Sequence, residues 1–144
     1  MGPGESYVDS KAASVMGIYE NTVDGMMTDY VFPQENGHRE SVKWFCISDG
    51  EDGMLCRMED KLGLNLANYT DESLEKAQHP FEIEKADEVI IHLDYRHSGL
   101  GSNSCGEEQL EENKVKLQDF AMAFTLQTAK SGTEINEARK QYID

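Results

Sequence analysis

The chain holds 144 residues, 28 acidic against 13 basic, for a formal net charge of -15 and a hydrophobic fraction of 38%. That length suits one domain with its own core, or a sizeable piece of a larger one. The scattered acids repel phosphate backbones and anionic lipid, and no apolar run approaches the roughly 20 residues of a transmembrane helix, so neither nucleic acid nor membrane is an expected partner.

Read in chain order, the apolar residues mostly recur with a period of two, which argues for strands. "SVMGIYE" (14–20) and "DYVF" (29–32) form two early strands, the second ended by Pro33. "ESVKWFCIS" (40–48) and "MLCRMED" (54–60) flank "DGEDG", whose Asp52-Gly53 can supply positive φ, and read as a hairpin. Leu62, Leu64 and Leu66 alternate in a further short strand. Thr70 caps one short helix over "DESLEKA", with Asp71 and Glu72 in the first turn where the helix dipole favours negative charge.

"EVIIHLDYRH" (88–97) is β-branched at its centre and is expected to be an inner strand, Val89, Ile91 and Leu93 on one face, Ile90, His92 and Asp94 on the other. "FAMAFTLQ" (120–127) puts Phe120, Met122, Phe124 and Leu126 on one buried face. After Gln127 the composition turns polar and the alternation stops, so 128–144 reads as a tail. The whole predicts an all-β antiparallel β-sandwich with one short helix.

The stretch "HSGLGSNSCGEE" (97–108) concentrates glycines after the 88–97 strand. It fails as a dinucleotide fingerprint because position 104 is Ser104, and as a phosphate-binding P-loop for want of Gly-Lys-Ser/Thr, so the pattern alone gives a loop. His38, His79, His92 and His97 are dispersed; His92 and His97, five apart on one strand, face opposite sides, while His92 and Asp94 share a face as a structural pair or as polar edge positions. No metal site is expected. Glu107, Glu108, Glu111 and Glu112 read as a solvated acidic run, not as the rigidly placed carboxylate pair that glycoside hydrolysis needs. Cys46, Cys56 and Cys105 are an odd number without CxxC spacing, hence reduced thiols. The start "MGPGESYVDS" lacks the pattern of a secretory signal. Both point to the cytoplasm.

Five segments carry a family likeness. "GPGESYVDSK", "DYVFPQENGHRESVKWFCISD", "YTDESLEKAQHP", "IIHLDYRHSGLGSNSCG" and "FAMAFTLQ" resemble, in order, the C-terminal sandwich domain of the large bacterial β-galactosidases of glycoside hydrolase family 2. The resemblance implies a supersandwich of the galactose-mutarotase-like type over 1–127, truncated on its N-terminal side because the family's domain continues before Gly2, with 128–144 as the tail. It also implies that the two catalytic glutamates lie in an upstream (β/α)8 barrel, so this chain has no catalytic residue of its own, needs no cofactor and is inactive alone.

Within such a parent the chain would support the barrel and other domains and lend one loop to the active-site rim. That loop is 97–108, with Asn103, Cys105 and Gly106 as its substrate-contacting residues; the tryptophan that some family members carry there is replaced by Cys105 or Gly106. A half-length sandwich would expose an apolar sheet face and self-associate. The other readings are a free-standing carbohydrate-binding sandwich, or a small subunit complementing a separate catalytic chain. A mutarotase-type epimerase would need an acid/base pair that no spacing supplies.

Overall fold

The computed structural model describes residues 1–100, 108–130 and 140. Within 1–130 its described regular elements are strands β1 (Arg39–Ser48), β2 (Asp52–Ala67), β3 (Ile90–Asp94) and β4 (Phe124–Lys130), helix α1 (Asp71–Lys76), and short 3-10 turns. The strands form one antiparallel four-stranded sheet, in agreement with the all-β expectation.

The hairpin forms where the turn residues place it, with Ile47 opposite Met54 and Ser48 opposite Gly53. Positive φ falls on Gly50 (φ 107°) rather than on Asp52-Gly53. The reason is local: Asp49 Oδ1 accepts the amides of Glu51 and Asp52 at 2.9 Å each, and Ser48 Oγ accepts that of Gly50, so the reversal is complete before Gly53 is reached.

β2 is one continuous strand that joins the two predicted runs 54–60 and 62–66. One edge is lined by β1. The other is shared, first by β4, which pairs Asp52 to Met58, then by β3, which pairs Gly63 to Ala67. Between these halves one residue of β1, Lys43, spans four of β2, Met58 to Lys61, a bulge that bends the sheet.

Three expectations are corrected. Residues 14–20 and 29–32 are not strands: Val15 makes one isolated bridge to Gly2, and side chains such as Asn21, Thr22 and Asn36 take up the nearby backbone groups. Such local bonds compete with a ladder. β3 pairs only with β2 among the described residues and lies at the sheet margin, all five residues half-buried. Phe124 and Leu126 do share a face, but it is open to solvent, and Phe120 and Met122 precede the strand, which starts at Phe124 and runs on to Lys130. Helix α1 is capped as expected, Thr70 Oγ1 accepting the Ser73 amide at 3.1 Å.

The two faces of the sheet differ in kind. One carries the main apolar cluster, built around Phe45, Cys56, Met58, Leu62 and Leu64 and flanked by Ile91 and Leu93. The opposite face has Leu55, Ala129, Trp44 and Cys46 at one end. At the other end the irregular segment 1–38 lies across it, and its contacts there are polar.

Candidate functional site

The polar end of the sheet is built on the run "FPQENGHRE" (32–40), whose groups tie segment 1–31 to β2. Asn36 is fully used: its Oδ1 accepts the Thr28 amide at 3.0 Å and the Tyr69 hydroxyl at 3.3 Å, its Nδ2 donates to Gln34 O, and its carbonyl accepts from Asn65 Nδ2 at 2.8 Å. Glu5 accepts the Gly37 amide at 2.8 Å and the hydroxyl of Tyr30. Burial and that bond from Tyr30 to Glu5 push the Tyr30 phenol up to about 12. The Ser6 amide donates to His38 O, and Ser6 Oγ accepts the Glu40 amide. Satisfied buried polar groups of this kind hold one arrangement of an irregular segment.

His38 sits at the centre, fully buried, stacked on Tyr7 (ring centroids 5.3 Å) and 4.7 Å from the ring of His97. Its close packing depends on Gly63: a Cβ there would come within 2.3 Å of His38 Cε1. Two carboxylates flank the ring, Glu40 Oε1 at 3.4 Å from Nε2 and Asp94 Oδ2 at 3.6 Å from Nδ1. His97 Nδ1 lies 2.6 Å from Ser98 O, and since a carbonyl can only accept, Nδ1 carries the proton and Nε2 faces Glu35 Oε1 at 3.8 Å.

The carboxyls of this cluster are pulled in opposite directions. Burial would raise Glu40, but hydrogen bonds from His38 and Lys11 outweigh it and hold that carboxyl below its ordinary value. Burial raises Glu35 despite the opposing pull of His97 and His38, and burial followed by the charges of Glu35 and Glu5 raises the Tyr7 phenol strongly. Glu35 also borders a shallow surface hollow with Phe32, Asp71, Leu74 and Glu75. Among the described residues no group of three or more His, Cys, Asp or Glu side chains is placed to hold a metal ion.

Asn103, Cys105 and Gly106 lie outside the described residues. The root of their loop is described: Gly99 donates its amide to Asn113 O at 3.2 Å, Ser98 Oγ accepts the Val115 amide, and the Asp9 carboxylate lies against Gly99. His92 and Asp94 do not pair with each other. His92 Nε2 faces Asp71 at 3.7 Å, Asp94 faces His38, and His97 lies beyond the end of β3, so the strand geometry that separated His92 from His97 does not apply. Cys46 and Cys56 lie in β1 and β2, and burial raises the Cys56 thiol.

Sequence reasoning gave no role to Glu5, Tyr7, Asn36 or His38. The one signal for them was their place inside "GPGESYVDSK" and "FPQENGHRE", polar-rich runs that no strand or helix period explains.

Those same runs fall within a match to the family described as the β-galactosidase small chain, which extends over residues 1–126. Among curated relatives, a β-galactosidase of Actinobacillus pleuropneumoniae is 33% identical over 125 residues, covering 87% of this chain and 12% of that protein. β-Galactosidases of Staphylococcus xylosus and Kluyveromyces lactis are 29% and 30% identical, each over 87% of this chain, and cover 13% and 12% of those proteins. The chain thus spans about an eighth of the length of the relatives it matches. With a match that runs from residue 1 through the polar cluster into β4, the chain belongs to the β-galactosidase small-chain family.

Proposed function

We propose that this chain is a non-catalytic part of a β-galactosidase that hydrolyses terminal β-galactosides such as lactose, giving structural support to a catalytic barrel and lending the 97–108 loop to the rim of its active site. The observation that carries the reading is where two half-buried carboxylates point. Glu5 and Glu40 turn inward to Gly37, Tyr30, His38 and Lys11, holding the N-terminal segment on the sheet. A retaining glycosidase needs two carboxyls about 5 Å apart across an open sugar site. Inward-facing acids serve cohesion instead, which fits catalytic glutamates located elsewhere in the parent.

In this reading Asn103, Cys105 and Gly106 contact the sugar from the rim, and the protein works in a reducing cytoplasm. The test uses a full-length β-galactosidase carrying this segment. Cys105→Ala and Asn103→Ala should raise KM for lactose several-fold with a smaller change in kcat; unchanged values of both would remove the rim role. Hydrolysis of a nitrophenyl galactoside by the 144-residue chain alone would refute the non-catalytic assignment.

A second reading has one feature in its favour. The hollow beside the exposed ring of Phe32 combines an aromatic face with the carboxylates of Glu35, Asp71 and Glu75, groups that suit a sugar's CH face and hydroxyls. A free-standing sugar-binding module, or a small subunit of a split enzyme, would use it. Calorimetry with galactose and lactose on the chain alone separates the two: we expect no heat, and a saturable signal abolished by Phe32→Ala would favour the second.

A further inference from the structure

We propose that His97 is a positioning residue for the rim loop: its ring is seated in the polar cluster and, through the Ser98 carbonyl, sets the direction in which the 97–108 loop leaves the sheet. The proposal rests on the reading of that loop as part of a galactosidase active-site rim, and it names the side chain on which the loop is seated.

The sequence puts His97 at a junction. β3 ends at Asp94, and the glycines of the loop begin at Gly99. A chain that has left its ladder is held only by side chains or by new backbone bonds. The His97 side chain is 25% exposed; its ring lies edge-on to Tyr7 at 5.5 Å and 4.7 Å from the ring of His38. Its Nε2 faces Glu35 Oε1 at 3.8 Å, and the same oxygen accepts the Tyr7 hydroxyl at 3.5 Å. None of these three neighbours lies on β3. All belong to segment 1–38, which is bonded to β1 through Ser6 and Glu40 and to β2 through Asn36 and Asn65. The walls of the socket are therefore fixed independently of the loop.

The other ring nitrogen acts on the loop itself. Nδ1–H donates to Ser98 O at 2.6 Å, bridging the peptide bond between the two residues and limiting the backbone rotations around it. The next bonds tie the departing chain to the returning one: Ser98 Oγ accepts the Val115 amide at 3.2 Å, and the Gly99 amide donates to Asn113 O at 3.2 Å. Behind Gly99 the space is closed, since a Cβ at that position would lie 2.3 Å from Asp9 Oδ2. Residues 97–99 are thus held from segment 1–38 on one side and from 113–115 on the other, ahead of the Asn103, Cys105 and Gly106 positions assigned to the sugar.

A rim contact serves bound substrate and transition state alike, so misplacing it raises KM more than it lowers kcat. In a full-length β-galactosidase carrying this segment, His97→Ala should raise KM for lactose about fivefold, the worth of one ordinary hydrogen bond, with a smaller change in kcat. His97→Asn, whose amide can stand where Nδ1–H stands, should recover most of the loss; His97→Gln, whose amide reaches the Nε2 position, should not. In the 144-residue chain the Gly99 and Val115 amides should exchange with deuterium faster in His97→Ala and regain protection in His97→Asn, while the amides of β2 keep their rates.

An unchanged KM in His97→Ala beside a raised KM in Asn103→Ala would overturn the positioning role and leave the rim reading standing. Equal KM values in the Asn and Gln variants would overturn it too, because the loop would then not depend on Nδ1. If Asn103→Ala and Cys105→Ala both leave KM unchanged, the rim reading fails and exchange decides the rest. Faster exchange confined to Gly99 and Val115 upholds the seating of the loop on His97; equal rates, or rates raised across β2 as well, overturn it.

Discussion

The two faces of β2 solve the same problem by different means. On one, Cys56, Met58, Leu62 and Leu64 gather apolar neighbours from β1 and β3, and the cohesion is non-directional. On the other, near Gly63 and Asn65, the sheet holds an irregular segment of 38 residues through His38, Asn36, Ser6 and Glu5, each with named partners and set distances. The apolar face tolerates small rearrangements, because apolar contact has no set direction. The polar face does not: a group that loses its partner there stays buried and unpaired, which costs more than the bond contributed. A single long strand can therefore carry an adaptable surface and a fixed one.

The contrast can be broken most severely at His38. His38→Leu keeps the volume roughly but leaves Glu40 and Asp94 facing an apolar group, and should cost about 3 kcal/mol in urea unfolding of the chain. A loss under 1 kcal/mol, on the order of one ordinary hydrogen bond, would mean that the polar end is not cohesive. Leu64→Ala, in the buried apolar cluster, should cost about 2 to 3 kcal/mol, the ordinary range for truncating a buried leucine.

A smaller effect tests the close approach beneath the imidazole. Gly63→Ala puts a methyl group within 2.3 Å of His38 Cε1 and should cost about 1 to 2 kcal/mol. In a double-mutant cycle the same change in a His38→Ala background should cost far less; additive losses would show that the ring and Gly63 are uncoupled.

The smallest expected effect is a pair of opposite pH dependences. Glu40 is held below its ordinary 4.5 when folded, so its contribution is present above that value and fades as pH falls through the lower folded one. Glu40→Gln should then cost about 1 kcal/mol at neutral pH and converge on the wild type in acid. Glu35 is raised above 4.5 when folded, so its contribution is present below that value and is lost as pH rises through the folded one. Glu35→Gln should gain stability relative to the wild type on going from acid to neutral pH. Parallel pH profiles for the two variants would contradict the arrangement around His38 and His97.

Much of the scaffold was legible in the residues. "DGEDG" between two alternating runs makes a hairpin because Asp49, Ser48 and Gly50 close the reversal locally, and Thr70 followed by Asp71 and Glu72 starts a helix through one capping bond. Residues 14–20 and 29–32 misled because a period of two states only that a strand could form, and among the described residues no strand takes them up. β3 was placed correctly in sequence and β4 only in part, its strand starting four residues later and running three further, and both were wrong in depth, since alternation reports which side chains share a face and not whether anything covers it. The site was least legible. His38 and His97 are far apart in sequence, and only the return of β3 along β2 brings their rings to 4.7 Å.

By itself, then, the sequence determined the local elements, the all-β class, the acidic surface and the family, because each depends on short-range pattern or on residue identity. Tertiary structure decided which face is apolar, which is polar, and that Tyr7, His38 and His97 meet. Those depend on register: on a pairing that sets Gly63 opposite Asp94 and leaves room over it for one imidazole ring.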